Sequence, residues 1–249
     1  MATIGRNIGS KAGNTGLFPD DRFSGPRPEW QNISRCFPDD RDCLASFLAL
    51  EAAEVLLGTK PANLVNVANR LRPCGRNLYQ LWKRHGADLL LESGLEAKEM
   101  IDRGSSVLLF LYCPNQLRDL LACKSVAAIL HKAGYSSPSD AEQTLSELQS
   151  RLTGNRFPHE IGVFLGYPLK DVVGFMGWAR ISFTCQGPWK IYGDPSESLR
   201  LAESHRQCRY RMSFQLASGG NPLYSLQAPA AAGWNGNDND SKGDFTFAR

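Results

Sequence analysis

Ser106-Val107-Leu108-Leu109-Phe110-Leu111-Tyr112, followed directly by Cys113-Pro114, is the clearest structural signal in this chain of 249 residues. The run is continuously apolar rather than alternating, which is typical of a strand covered on both faces. A helical pattern occupies residues 115–131, and Pro114 suits its first turn because the missing N–H would be unpaired there. We therefore predict a buried strand that leads into a helix.

The same order of strand, proline and helix is predicted again further along the chain. Residues 161–165 form a second short apolar run, Pro168 follows, and residues 169–176 have a helical pattern. In open α/β sheets, ligands bind where strands end and helix N-termini present free N–H groups. If the two strands are parallel, both junctions lie on one edge of the sheet, and we expect a site at that edge.

Apolar periodicity and turn residues place the other elements. We predict helices over residues 43–57, 77–85, 94–103, 139–152 and 195–214, and strands over residues 60–67, 181–185 and 189–192. Strands that alternate with helices favour a single α/β domain with a mixed or mostly parallel central sheet and flanking helices. An α+β fold is the alternative, because the last two strands resemble a hairpin.

The ends of the chain differ from its middle. Residues 1–35 and 215–249 show no sustained apolar pattern, so we expect disordered tails around an α/β domain of unknown function at residues 36–214. The basic residues of the last predicted helix, His205 and Arg209 among them, are expected to form a solvated face. The formal net charge of +3 is too small to indicate a nucleic-acid or membrane partner.

The cysteines and the start of the chain indicate a cellular location. The seven cysteines include no CxxC pair, and the first ten residues lack the apolar core of a secretory signal. We therefore expect a cytoplasmic protein with reduced thiols.

Five side chains beside the predicted elements are candidates for chemistry. His159 precedes the second strand and is a candidate general base or metal ligand, with Glu160 next to it. Cys113 lies at a strand end beside a helix N-terminus, where the pKa of a thiol falls. Lys60 and Lys190 are candidates for holding an anion or, if they point inward, for acting as nucleophiles. Each also has an ordinary structural interpretation as a hydrogen-bonded histidine, a core cysteine or a solvated side chain.

Residues 157–175 read FPHEIGVFLGYPLKDVVGF, and this stretch resembles the signature FPHEIGxFLGYPxxDVxGF of an uncharacterised bacterial family found chiefly in anaerobes. Shorter similarities occur at residues 58–64, 108–112 and 189–194, so the resemblance covers roughly residues 45–210. The family has no assigned function, and the resemblance therefore implies no reaction and no cofactor.

The resemblance does imply a set of site residues. His159, Glu160, Tyr167, Asp171, Lys60 and Lys190 belong to the signature, and Asn63 and Tyr192 in the shorter similarities join them as candidate ligand-binding residues. The family pattern has a cysteine shortly before its Gly-x-Lys-Pro piece, where this chain has Ala52-Ala53-Glu54. A descendant without catalytic activity is therefore one alternative.

We expect a protein that binds a small ligand or an unidentified cofactor near Cys113 and residues 159–171. In an enzyme, His159 would be the general base, Lys60 or Lys190 would hold an anion, and the helix N-terminus after Pro168 would bind negative charge. Two alternatives stay open: a non-catalytic interaction module that meets a protein partner, also through its tails, and a metal carrier or sensor that uses Cys and His.

Overall fold

The structure, a computed structural model, describes residues 28–154 and 156–227. The helices are α1 Trp30–Arg35, α2 Asp40–Glu51, α3 Ala53–Leu56, α4 Leu78–Leu91, α5 Pro114–Ala122, α6 Lys124–Ala133, α7 Ala141–Leu152, α8 Ile161–Phe164, α9 Leu169–Phe175, α10 Ser196–Ala217 and α11 Pro222–Gln227. The strands are β1 Ala62–Ala68, β2 Glu96–Asp102, β3 Ser106–Tyr112, β4 Phe183–Gln186 and β5 Lys190–Tyr192.

Strand β3 forms the centre of a three-stranded antiparallel sheet in the order β1-β3-β2. Val107, Leu109 and Leu111 contribute to a core shared with α2 and α4, whereas Phe110 belongs to a second core shared with α5 to α9. All four of these side chains are fully buried. The prediction that this strand is covered on both faces is confirmed.

The prediction of a mixed or mostly parallel central sheet is wrong, because β1 and β2 both run antiparallel to β3. Only residues 103–105 connect β2 to β3, and Gly104 adopts a left-handed φ of +73° in this turn. Such a short link joins antiparallel strands, since parallel neighbours need a crossover of a dozen or more residues. Helices combined with antiparallel sheets correspond to the α+β alternative.

Residues 94–103, predicted to be helical, contain the edge strand β2 instead. Its sequence, Glu-Ala-Lys-Glu-Met-Ile-Asp, is rich in helix-forming residues, which explains the wrong prediction. Pairing with β3 overrides that preference, and Met100 is buried in the second core. The charges of β2 are typical of an exposed sheet edge, where they oppose pairing with another chain.

Residues 161–165, predicted to be a strand, form the short helix α8 and the residue that ends it. A short apolar run has the same pattern in a buried strand and a buried helical turn, and all four residues of α8 are buried. The second strand-proline-helix junction therefore does not exist, and the two predicted junctions do not share a sheet edge. Helix α9 does begin after Pro168, as predicted.

The hairpin of β4 and β5 forms a second, separate antiparallel sheet, which confirms the predicted pair of strands. Helix α9 packs against β5, and α10 packs against α2 and α3. Helices α1 and α11 both contact α2, although they lie outside the boundaries 36–214 given to the predicted domain. The rest of the two predicted tails, residues 1–27 and 228–249, lies outside the described residues.

Two further observations concern the chain as a whole. All seven cysteines are free thiols. Within residues 28–154 and 156–227, no helix combines the length and the apolar character needed to span a membrane.

Candidate functional site

An open cavity of about 370 Å³ lies among α8, α9, the loops that flank them and strand β5. Its lining residues all come from the two stretches that carry the family resemblance, residues 157–175 and 189–194. They are Phe157, His159, Ile161, Gly162, Tyr167, Asp171, Val172, Phe175, Trp189 and Lys190. Four of these ten side chains are aromatic, so the interior of the cavity is largely apolar.

Gly166 lets the chain turn from α8 towards α9 while passing close to the loop before β1. Its φ of +70° lies in the left-handed region that favours glycine. A Cβ atom at Gly166 would lie 2.6 Å from Cδ of Pro61, so a larger residue would push the two segments apart. This close approach places Lys60 against Tyr167, with 5.4 Å between Nζ and the ring centroid.

Asp171 holds the inner wall of the cavity in place. Its side chain is buried, and its carboxylate accepts hydrogen bonds from Lys170 Nζ at 2.9 Å and Tyr192 N at 2.8 Å. It also accepts from Trp189 Nε1 at 2.8 Å and Ser198 Oγ at 2.6 Å. Four donors occupy the acceptor positions of a carboxylate. We therefore interpret Asp171 as a positioning residue for Trp189 and Tyr192.

The mouth of the cavity combines aromatic rings with two basic side chains. The ring centroid of His159 lies 4.9 Å from that of Phe175 and 6.0 Å from that of Phe157. Nζ of Lys190 lies 5.4 Å from the Phe175 centroid. Phe157 and Phe175 are 55% and 41% exposed, and His159 and Lys190 are exposed as well. The mouth therefore presents apolar surface beside the ammonium group of Lys190 and the imidazole of His159.

Tyr167 and Trp189 belong both to the cavity and to a second region, which we call the buried polar cluster: Glu54, Lys60, Asn63, His205 and Arg209. The two rings are stacked, with centroids 4.5 Å apart. Tyr167 contacts Lys60, and the Trp189 centroid lies 6.1 Å from that of His205. The aromatic pair thus connects the cavity to the cluster.

Lys60 is the buried cation of this cluster. Its Nζ donates to Oδ1 of Asn63 at 2.5 Å, and Nδ2 of Asn63 donates to Oε2 of Glu54 at 2.9 Å. Glu54 and Glu51 both form ion pairs with Arg209, at 3.0 and 2.6 Å. Burial lowers the pKa of Lys60 to about 8; Glu54 opposes this shift and Arg209 adds to it. Half of the amine is therefore neutral near pH 8, whereas an ordinary lysine with its pKa of 10.5 is almost fully charged there.

Helix α10 supplies His205 and Arg209, which lie one turn apart and so share a face of the helix. Nε2 of His205 lies 3.3 Å from the carbonyl oxygen of Thr59, so this nitrogen carries the proton and donates. Burial, reinforced by the charge of Lys60, lowers the pKa of His205 to about 4. The imidazole is therefore neutral at pH 7.

Two of the predicted catalytic residues lie away from the cavity. Glu160 is buried, and its Oε1 lies 3.4 Å from the hydroxyl of Tyr135 and 3.3 Å from Nη1 of Arg151. Cys113 precedes α5 as its N-cap residue, is 4% exposed and belongs to the core shared with α2 and α4. Neither residue lines the cavity.

The other predicted site residues fall into two adjoining groups. Those that line the cavity are His159, Tyr167, Asp171 and Lys190, and those in the buried polar cluster are Lys60 and Asn63. Tyr192 lies on β5 behind the cavity wall, where its backbone N–H donates to Asp171.

Sequence reasoning missed Glu54 and Ser198, and it assigned His205 and Arg209 to a solvated face. A carboxylate within the apolar run Ala52-Ala53-Glu54-Val55-Leu56 is a signal that could have identified Glu54. Ser198 is one of several polar residues at the start of α10, and nothing in the sequence distinguishes it.

Among residues 28–154 and 156–227, no three side chains of His, Cys, Asp or Glu are grouped in a way that could hold a metal ion.

Comparison with protein families identifies the chain's relatives. A family model described as protein of unknown function (DUF3793) matches residues 48–226, which is more than half of the chain. The chain belongs to this family. The resemblance to a family of unknown function is thereby confirmed, and the DUF3793 match includes every residue of the cavity and of the buried polar cluster. No curated protein and no solved structure matches the chain.

Proposed function

We propose that the cavity binds a small molecule that has a flat apolar part and an acidic group. The observation that supports this proposal is the convergence of four aromatic side chains, His159 and Lys190 on one open cavity. Its volume of about 370 Å³ lies within the range of small-molecule sites, roughly 300–1,000 Å³. The stacked rings of Tyr167 and Trp189 are nearly parallel, with 19° between their planes, so a planar group can pack against this pair.

The charges around the cavity favour an acidic ligand. Asp171 is the carboxylate in the lining, and Lys170 pairs with it at 2.9 Å. Lys190 at the mouth is therefore the charge that a ligand meets first, with the imidazole of His159 beside it. An anionic group placed at the mouth would gain attraction while the apolar part is removed from water.

His159 has a second role if the ligand is a substrate. It is the exposed side chain at the mouth that can accept a proton, and histidine is the most common general base in enzymes. We propose this role in the cytoplasm, a location with which seven free thiols agree.

The test uses two fluorescent probes with similar ring systems on the full chain. We expect the anionic probe 1-anilinonaphthalene-8-sulfonate to bind with one site per chain. Lys190→Gln should weaken it about fivefold, equivalent to roughly 1 kcal/mol, whereas the uncharged probe N-phenyl-1-naphthylamine should be unaffected. Lys124→Gln, which removes an exposed charge outside the cavity, is the matched control.

A second pair of variants tests the apolar contact. Phe157→Ala should weaken both probes, whereas Phe183→Ala should not, although the two side chains are almost equally exposed at 55% and 54%. Phe183 does not line the cavity. The proposal would be contradicted if all four variants bound both probes with the affinity of the wild type. Several probe molecules bound per chain would contradict it as well.

A protein-interaction module is the second candidate, and the exposure of Phe157 and Phe175 at the mouth favours it. In this case the cavity would receive an apolar side chain of a partner, which is how buried anchor residues act at interfaces. Peptides selected for binding to the protein, and selected against binding to Phe157→Ala, should share an aromatic or aliphatic anchor. The absence of a common anchor would rule against this candidate.

A further inference from the structure

Lys60 is buried without a carboxylate of its own, which is rare for lysine. Its side chain is 8% exposed, and in the described part of the chain no Asp or Glu oxygen lies within ion-pair distance of Nζ. The nearby carboxylates of Glu51 and Glu54 are bound by Arg209 instead. A buried ammonium group in this setting opposes folding, and such sites are frequently functional in enzymes.

The groups that face Lys60 come from several elements. Glu54 belongs to α3, Asn63 to β1, Tyr167 to the loop after α8, and His205 to α10. Burial is the main cause of the lowered pKa of Lys60; the charge of Glu54 opposes it, and the charge of Arg209 adds to it. The imidazole of His205 is uncharged at pH 7. Desolvation of its amine is one way in which a protein activates lysine as a nucleophile.

Asn63 fixes how the amine is held. Its Nδ2 donates to the carbonyl oxygen of Glu51 at 2.8 Å and to Glu54, so Oδ1 must be the atom that faces Lys60. An amide oxygen accepts a hydrogen bond from a neutral amine as well as from an ammonium group. Loss of the proton therefore preserves this contact and leaves the nitrogen lone pair available.

We propose that Lys60 is a nucleophilic amine that forms an imine with a small, uncharged aldehyde or ketone. The proposal goes beyond ligand binding in the cavity and does not depend on what the cavity binds. The charges around Lys60 oppose an anionic substrate, because the carboxylates of Glu54 and the neighbouring Glu51 outnumber the guanidinium of Arg209 when Lys60 is neutral. An uncharged carbonyl compound is therefore favoured over an anionic one. The ring of Tyr167 beside Nζ supplies an apolar contact for the carbon chain of such a compound.

The reaction needs no oxidant and no cofactor. The lone pair of Lys60 Nζ attacks the carbonyl carbon, the C=O π bond breaks, and a proton from nitrogen reaches the oxygen to give a carbinolamine. The C–O bond then breaks, a second proton leaves nitrogen, and one water molecule is released as the C=N bond forms. Amine and carbonyl compound thus give imine and water, with all atoms retained.

The test treats the folded full chain with propanal and sodium cyanoborohydride at pH 7, which converts each imine into a stable secondary amine. Peptide mass spectrometry measures the rate at each lysine. We expect Lys60 to react at least about tenfold faster than the exposed Lys124, since a lowered pKa leaves far more neutral amine. Lys60→Arg, which keeps the charge but cannot form an imine, should lose this fast modification and keep the slow modification of Lys124.

Three outcomes would overturn the proposal. Lys60 could stay unmodified while Lys124 reacts, or it could react only after unfolding in urea. The ratio of Lys60 to Lys124 modification could also be higher with glyoxylate, an anionic aldehyde, than with propanal, which would contradict the uncharged substrate class. The wild-type protein alone decides all three, so the result does not depend on whether Lys60→Arg folds.

A pH profile separates a reactive amine from a merely accessible one. The rate at Lys60 should reach half its maximum near pH 8, and Glu54→Gln should move this midpoint downward because Glu54 stabilises the ammonium form. An unchanged midpoint in a folded Glu54→Gln variant would contradict the role given to the cluster. The probe titrations of the cavity are independent of these rates, so the two proposals can fail separately.

Discussion

Asp171 and Lys60 are both buried, and both touch the stacked pair of Tyr167 and Trp189 directly or through one hydrogen bond. Asp171 accepts four hydrogen bonds and has a cation, Lys170, among its donors. Lys60 has three N–H donors when charged, and the hydrogen bond to Asn63 uses one of them. A fully satisfied buried charge fixes structure, whereas a buried charge with few partners is destabilised and available for chemistry.

The largest effect on stability is expected from removing Asp171, whose carboxylate accepts four hydrogen bonds and is called the Asp171 hub below. Asp171→Ala would remove the shared acceptor of Trp189 Nε1, Tyr192 N and Ser198 Oγ. It would also remove the charged partner of Lys170, which would keep only the neutral acceptors Tyr192 O and Ser198 Oγ. We expect a loss of about 3–5 kcal/mol in the free energy of unfolding, as found when one partner of a buried ion pair is removed. Urea denaturation followed by circular dichroism measures the change.

The control for the Asp171 hub is Asp88→Ala, which removes an exposed carboxylate on α4. It should shift stability by no more than about 0.5 kcal/mol. A similar small loss for Asp171→Ala would mean that the hub does not hold the cavity wall.

A smaller effect on the free energy of unfolding is expected from Lys60. Unlike Asp171, the charged form of this residue opposes folding. Its pKa of about 8 in the folded chain lies below its value of 10.5 when unfolded, so the unfolded chain binds more protons between these values and stability rises with pH. From pH 7 to pH 10, wild type should gain about 2.5 kcal/mol relative to Lys60→Met, in which the group is absent. Urea titrations of wild type and Lys60→Met across this pH range measure both free energies of unfolding. Subtracting one from the other removes the contribution of the titratable groups that the two proteins share. A constant difference would show that Lys60 keeps an ordinary pKa.

The smallest of the three effects is expected from His205. Its pKa of about 4 in the folded chain lies below the unfolded value of 6.5, so folding excludes a proton in this window and stability falls as the pH falls. Between pH 7.5 and pH 5, wild type should lose about 2 kcal/mol more than His205→Gln, which keeps a donor for the Thr59 carbonyl. Thermal or urea unfolding of the two proteins at several pH values provides the measurement. If the free energy of unfolding changes with pH to the same extent in both proteins, the pKa of His205 is not lowered by folding, and the imidazole is in contact with solvent.

Much of the fold could be predicted from sequence where the pattern was long or strongly marked. The apolar run of β3, the helix after Pro168, the β4–β5 pair and the long helix α10 all lie close to their predicted positions. The two wrong assignments, β2 and α8, concern short segments in which local preference and tertiary contacts disagree or in which periodicity does not discriminate. The parallel sheet was wrong because strand direction depends on connections, and the prediction had omitted the strand β2.

The candidate site shows the same division. The signature stretch singled out His159, Tyr167, Asp171 and Lys190, which do line one cavity. Glu160 immediately follows His159 but lies against Arg151, because neighbouring residues in a turn can point in different directions. Adjacency in sequence therefore did not imply a shared role.

The sequence by itself determined which stretches line the cavity and that a buried strand organises the domain, because composition and periodicity are local properties. Only the tertiary structure decided that Lys60 lacks an ion-pair partner within the described part of the chain. The nearby carboxylates of Glu51 and Glu54 form ion pairs with Arg209 instead, which lies 149 residues after Lys60 in the chain. The tertiary structure also decided that Asp171 is saturated by donors from α9, β5 and α10. The reactivity of an ionisable group depends on its solvation and its neighbours, and distant parts of the chain supply both.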